Sequence, residues 1–372
     1  MLKYYFSQLV KMALQHILIP VLYWYFSVGR NIDDDLVIFA DAHSDSLPYS
    51  MQQMHQAMSA RGYHVEKHIC NFNKIGFVAK LRAIIYFTKS YARAKYVFIC
   101  SYYLPVSSCK KRTETTVVQL WHASGTWKKI GYDSPEDIPR FSLGSQARNY
   151  DLVTVSAPAL IPYYTSAFRL EKDAAVATGI SRTDTFFNPS YADECMSLWL
   201  DTYPQMANKK VALWVPTFRG RAQHPYTAGV EDIELLDLGD DWVLVCKLHT
   251  NAKEGVKLFQ PDIPTEKILS VADVVVTDFS TILFEAALLE KPVILFQPQK
   301  KTYEKGRGLY FPASRIPAPL VTDGSDLKGA VLKAQVSYNQ DGWKQFTKEY
   351  MSACDGRSTE RIIEYITSRR VS

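Results

Sequence analysis

Short, unbroken apolar runs recur along this chain, separated by longer stretches in which apolar positions fall three or four residues apart. In the first half the runs are "LVIFA" after Asp33-Asp34-Asp35, "YVFIC" (Tyr96 to Cys100), "VVQLW" (Val117 to Trp121), "LVTVS" (Leu152 to Ser156) and "AAVATG" (Ala174 to Gly179). Runs of that kind suit strands buried on both faces. Their alternation with helical stretches such as Met51 to Arg61 predicts a parallel sheet covered by helices. The pattern pauses between Phe187 and Lys209, where Asn188-Pro189 and Tyr203-Pro204 flank a helix-like segment. It restarts with "VALWV" (Val211 to Val215), "WVLVC" (Trp242 to Cys246), "VADVVVT" (Val271 to Thr277) and "PVILF" (Pro292 to Phe296). The reading is an α/β protein of two Rossmann-like units, 31–189 and 190–372, preceded by an apolar segment over 1–30. A length of 372 residues agrees with two domains, each large enough for its own core.

That first segment, "MALQHILIPVLYWYFSV" (Met12 to Val28), is apolar and aromatic but interrupted by Gln15, His16 and Pro20. It is short and flawed for a spanning helix, while Tyr23, Trp24, Tyr25 and Phe26 suit the headgroup level of a bilayer. We read it as lying on a membrane, the alternative being a helix packed into the core. Charge points the same way. Residues 1–190 carry 21 Lys+Arg against 14 Asp+Glu, and Arg61 to Arg112 holds eleven basic residues with Glu66 as its one acid. Within that block Phe77, Leu81, Ile84 and Ile85 fall at helical spacing among Lys74, Lys80, Arg82, Lys89 and Arg93. An apolar stripe with a cationic rim fits an interfacial helix, and equally a surface helix packed on the core. Six cysteines without paired spacing argue against a disulfide framework or a zinc site.

Ligands of open α/β sheets bind beyond the carboxyl ends of the strands, and there the chain is unusually polar. "VVQLW" runs into His122, "AAVATG" into Ser181-Arg182, "VALWV" into Pro216-Thr217 with Arg219 beyond, "WVLVCKL" contains Lys247 and ends at His249, and "VADVVVT" opens into Asp278, Phe279, Ser280 and Thr281. Histidines after strong strands can take a proton from a hydroxyl or donate to a phosphate oxygen. Ser280 and Thr281 are expected in the first turn of a helix, whose free N–H groups favour phosphate, unless Asp278 or Ser280 merely caps it. "DDD" (Asp33 to Asp35) and "GDD" (Gly239 to Asp241) precede strands and are read as turns, so no metal site is inferred. There is no GxGxxG and no GxxxxGKS, which removes the dinucleotide fingerprint and the P-loop.

Taken in order, "LWHASGTWKKIGYD", "GISRTD", "VPTFRG", "KLH", "ADVVVTDFSTILFEAALLEKPVILF" and "YEKGRGLYF" resemble the CDP-glycerol glycerophosphotransferase family of teichoic-acid and capsule synthesis, over about Thr116 to Phe311. The resemblance implies a GT-B architecture with the active site between two domains, an acceptor side before residue 190 and a CDP-donor side after it. It implies catalytic roles for His122, as general base, and His249. Ala123, Ser124, Gly125 and Thr126 would line the pocket, and Arg182, Pro216, Thr217, Lys247, Ser280, Thr281 and Glu285 would surround the donor. No cofactor and no metal are implied. Ala123-Ser124-Gly125-Thr126 replaces the common Gly-Thr-Pro, as in the shorter, priming members. Glu285 stands where aspartate is frequent, and Ser181 replaces the usual proline before Arg182.

The function so implied is transfer of glycerol 3-phosphate from CDP-glycerol to a hydroxyl of a lipid-linked (undecaprenyl diphosphate) saccharide, releasing CMP, at the cytoplasmic face of an anionic membrane. Three alternatives stand beside it. They are a CDP-ribitol or polymerising transferase, a GT-B glycosyltransferase using a nucleotide sugar, and a non-catalytic protein binding membrane or nucleic acid through the basic block. Histidines at both strand ends argue against the last, so no nucleic-acid partner is expected.

Overall fold

The computed structural model describes residues 2–134, 136–137, 146–171, 173–217, 219–221, 224–248 and 256–368. Two parallel sheets form as the apolar runs require. The first holds β1 (Asp33–Asp41), β2 (His64–Ile69), β3 (Ala94–Ile99), β4 (Thr116–Gln119), β5 (Leu152–Thr154) and β6 (Ala175–Val176), in the order β2-β1-β3-β4-β5-β6. The second half supplies β7 (Lys210–Val215), a hairpin of β8 (Arg219–Arg221) and β9 (His224–Tyr226), then β10 (Trp242–Cys246), β11 (Val274–Thr277), β12 (Val293–Phe296) and β13 (Leu320–Val321). Its sheet runs β10-β7-β11-β12-β13. Strand order therefore reverses direction between β1 and β3 in one sheet and between β7 and β11 in the other. Crevices for ligands open at such points.

The strands are buried because both faces are covered. On one side of the first sheet Val37, Phe39, Tyr96 and Phe98 meet Met51, Met54 and Met58 of the Tyr49–Ala60 helix. Asp33 to Asp35 are not a turn, as the sequence suggested, but the opening of β1. Backbone pairing with β3 starts at Asp33, opposite Ala94, and Lys95 answers the carboxylate of Asp34 at 3.1 Å.

Residues 2–27 are one helical rod with a π-helical turn at Leu14–Leu18. Pro20 has no N–H for the carbonyl four residues back, and the turn before it widens. Part of the rod packs into the core, as one expectation had it, and part faces outward. Ile19 and Tyr23 are buried, with the Tyr23 ring 5.1 Å from that of Tyr91 and its hydroxyl accepting the Arg112 N–H at 2.9 Å. Ile17, Val21, Trp24 and Tyr25 face outward, each more than half exposed. Gln8–Ser27 is long and apolar enough to cross a membrane by length and composition.

The chain ends on the first sheet, not the second. Ile362, Ile363 and Ile366 of the Ser358–Ser368 helix pack among Val37, Phe39 and Met58, so that helix departs from the expected 190–372 unit. Its start is fixed by Asp184, whose carboxylate accepts the N–H groups of Ser358 (3.0 Å) and Thr359 (2.6 Å). Asp184→Ala should cost about 0.5–2 kcal/mol, the range for a lost helix cap, read as a lower urea midpoint with an unchanged slope.

Candidate active site

Four residues past the middle of β4 the backbone turns sharply. Trp121 adopts φ 57°, a left-handed conformation that bulky residues take only when their surroundings impose it. The Gln119 side chain holds that turn by accepting the Trp121 N–H at 3.0 Å. His122 is thereby lifted off the sheet edge into a cleft of 660 Å³ between the two halves. Its Nδ1 lies 3.0 Å from the carbonyl of Cys100, which can only accept, so Nδ1 carries the proton and Nε2 the free lone pair. The ring stacks at 4.2 Å on Trp121. Poor solvation deep in the cleft, opposed by the Cys100 carbonyl and reinforced by Arg182 and Lys128, lowers its pKa to about 4. Its outer edge remains open to the cleft, so the ring is both neutral and reachable.

The facing wall comes from the strand ends of the second sheet: Val215 closing β7 with Pro216 and Thr217 beyond it, Lys247 and Leu248 after β10, and Ser280 and Thr281 after β11. Asp278 fixes their spacing. It accepts the Thr217 N–H at 2.7 Å and pairs at 3.4 Å with Arg219, whose guanidinium lies over the rings of Phe279 and Tyr303. The Lys247 ammonium donates to the carbonyls of Pro261 (2.9 Å) and Ile263 (2.8 Å), which anchors it in the wall. Thr217 Oγ1 is buried and has no partner among the described residues. Ser280 and Thr281 stand just before the Ile282–Leu288 helix, not in its first turn, and Ser280 Oγ accepts the Ile282 N–H at 3.3 Å. His249 lies outside the described residues.

Arg182 and Glu285, expected around the donor, instead meet each other beneath the cleft. They form a close ion pair, Ser124 Oγ donates to Glu285 Oε1 at 2.5 Å, and Arg182 donates to Ser124 Oγ (3.2 Å), Ser50 Oγ (3.2 Å) and the His122 carbonyl (2.8 Å). Neither lines the cavity. Each nitrogen of the guanidinium is engaged by protein, so the pair clasps the two sheets directly under His122. Ala123, Gly125 and Thr126 do line the cleft. Gly125 is needed for contact: a Cβ there would stand 2.6 Å from the Phe284 ring.

Three cleft residues were not among the site residues expected from the sequence. Lys128, within the "WKK" that follows His122, lines the cavity, and burial with the nearby Arg307 lowers its pKa to about 8, leaving it charged at neutral pH. Arg307, within "YEKGRGLYF", lines it too and is held by Asp137 at 2.7 and 2.8 Å. Tyr102 borders the cavity after β3. The two motifs are zipped together: Lys129 N–H donates to Gly308 O (3.1 Å), Tyr310 N–H to Trp127 O (2.8 Å), and Trp127 Nε1 to Phe311 O (2.9 Å). A histidine base facing a wall of cations and small hydroxyl residues is suited to moving a phosphoryl group onto an alcohol.

The sequence profile of CDP-glycerol:poly(glycerophosphate) glycerophosphotransferases matches residues 22–368. The chain belongs to this family. Among family members, the teichoic acid ribitol-phosphate primase of Bacillus spizizenii is 29% identical over 304 residues, covering 74% of this chain and 76% of the primase. The teichoic acid glycerol-phosphate primase of Bacillus subtilis is 26% identical, covering 73% of each. The poly(ribitol-phosphate) polymerase of Bacillus spizizenii is 31% identical, but the match spans only 47% of its length. In three dimensions the wall teichoic acid polymerase TagF superimposes with a TM-score of 0.73 at 19% identity, over 94% of this chain and 92% of that one, which establishes a shared GT-B-like fold.

Removing one partner of a buried ion pair strands the other charge, at about 3–5 kcal/mol. Glu285→Ala should therefore lower the urea midpoint well beyond a surface substitution, and a change within about 0.5 kcal/mol would show that Glu285 is not the counter-charge of Arg182.

Proposed function

We propose that this protein transfers a polyol phosphate, glycerol 3-phosphate in the first instance, from its CDP ester to a hydroxyl of a lipid-linked saccharide. The acceptor stands on the first-sheet side and the CDP-donor on the second, and CMP leaves. The observation that carries this reading is His122, neutral, fixed in tautomer by the Cys100 carbonyl and facing the Thr217–Lys247–Ser280 wall across one cleft. Nε2 takes the acceptor proton as the oxygen attacks the polyol-side phosphorus. Lys247, Lys128 and the Thr217 hydroxyl, which has no partner among the described residues, meet the phosphate oxygens, and the lysine charge disperses what builds up in the transition state. Bound phosphates raise the proton affinity of the imidazole opposite them, which strengthens the base once the donor is in place. Ala123-Ser124-Gly125-Thr126 favours the addition of a first unit over chain growth. The exposed apolar face of the first helical rod and the basic block beside it support a peripheral membrane position, which this reading puts at the cytoplasmic face.

CDP-ribitol is the second reading, favoured by one observation: the ribitol-phosphate primase of Bacillus spizizenii matches this chain at 29% identity, against 26% for the glycerol-phosphate primase of Bacillus subtilis. Incubation with either CDP-polyol and a synthetic lipid-linked disaccharide, followed by mass spectrometry, separates the two donors and counts the units added.

His122→Ala should lower CMP release with acceptor by about 10²–10⁴, and near-normal release would remove the histidine from the mechanism. Because the free imidazole stays neutral down to about 4, kcat/KM should hold from neutral pH downward. It should fall only as pH approaches that value, instead of halving near 6.5.

A further inference from the structure

The cleft is one of three cavities in a row. A second, of 370 Å³, shares Tyr102 with it and lies between the N-terminal rod and the Phe77–Tyr91 helix, lined by Val10, Leu14, Phe77, Leu81 and Ile84. A third, of 350 Å³, shares Val10 and Leu14 with the second and continues along the rod past Ile17 and Val21. Together they make a track from His122 to the outward apolar face of the rod.

The floor of the middle cavity is formed by Ala42 and His43 after β1 and by Tyr102 and Leu104 after β3. This is the point where strand order reverses in the first sheet, the place where open α/β sheets take ligands. His122 follows β4, the next strand over from β3, and strands lie about 4.8 Å apart. The middle cavity therefore neighbours the imidazole's cleft, with Tyr102 bordering both. The rings are also in sequence, Tyr102 to Trp121 at 5.5 Å and Trp121 to His122 at 4.2 Å.

The track is apolar at one end and cationic in the middle. Lys11 and Lys80 line the middle cavity beside His43, and among the described residues neither lysine pairs with a carboxylate. The Tyr102 hydroxyl, at the junction with the cleft, is buried and without a partner among the described residues. A ligand that satisfies this order has an apolar tail, then a compact anion, then hydroxyl groups.

We propose that the track binds the isoprenoid diphosphate end of the acceptor. The chain lies along Val21, Ile17, Leu14 and Leu81, the diphosphate sits between Lys11, Lys80 and His43, and the saccharide passes Tyr102 to bring its hydroxyl to His122. This rests on the transferase reading for the identity of the ligand, but the binding itself does not require turnover.

The full-length protein is titrated with farnesyl diphosphate, followed by tryptophan and tyrosine fluorescence, with circular dichroism to verify folding of each variant. Leu81→Gln should weaken binding at least ten-fold while Leu81→Met retains it. Lys80→Ala should weaken farnesyl diphosphate more than farnesyl phosphate. Inorganic pyrophosphate at the same concentration should not displace the ligand. Unchanged affinity in a folded Leu81→Gln protein overturns the proposal. So does equal displacement by a soluble short-chain phosphatidylglycerol, which would make the track a general lipid-docking surface. If the wild type binds farnesyl diphosphate but releases no CMP with any CDP-polyol and acceptor, the transferase reading fails and the track stands. If CMP is released but farnesyl diphosphate does not bind, the track alone fails.

Discussion

Two charges taken out of water must be matched or the protein cannot close around them. Arg182 comes from the first half and Glu285, 1% exposed, from the second, so each is satisfied only when the two sheets stand at one separation and angle. Ser124 ties the carboxylate to the loop that carries His122, and Arg182 holds the carbonyl of His122 itself. The cost of burying the pair is offset by these partners. What the arrangement secures is geometry, because any displacement of the second sheet is felt at the backbone of the imidazole.

Around this clasp the His122-to-Asp133 loop and the Tyr303-to-Phe311 segment run side by side, joined by backbone hydrogen bonds and by Trp127, which packs 5.5 Å from Phe279. Tyr310 stacks at 4.5 Å on Tyr163 and its hydroxyl donates to Asp133. The cleft is what remains between the strand ends once these contacts are made. Its charge is arranged by the same contacts: Arg307 pairs with Asp137, Lys247 is held by the carbonyls of Pro261 and Ile263, and Lys128 lines the wall.

The strands covered on both faces were legible because such burial leaves an unbroken apolar run, and every run in the first half became a strand of the first sheet, whereas the polar edge strand β2 was not read. His122 was legible because a polar residue directly after such a run has nowhere to go but the sheet edge. Arg182 and Glu285 were found as residues but not as each other's partners: nothing local marks a guanidinium whose counter-charge is a hundred positions away. The Ser358–Ser368 helix shows an apolar stripe at Ile362, Ile363 and Ile366, which says that it packs without saying on which sheet. Asp33 to Asp35 resembled a turn because strands seldom open on three carboxylates, yet backbone pairing and Lys95 were enough. Lys128 and Arg307 sat inside quoted motifs and were passed over, since a lysine or arginine reads as surface until a cavity is seen beside it.

The return of the last helix to the first sheet means that the polypeptide passes between the halves twice, after Phe187 and again before Ser358. The two passages touch: a side chain on Gly356 would meet Phe187 at 2.8 Å. Two bodies joined by adjacent tethers keep little freedom except swivelling about the line through them, with the greatest travel on the far side. Any relative movement of the halves is thereby confined to a single arc, and the buried Arg182–Glu285 pair must part for it to occur.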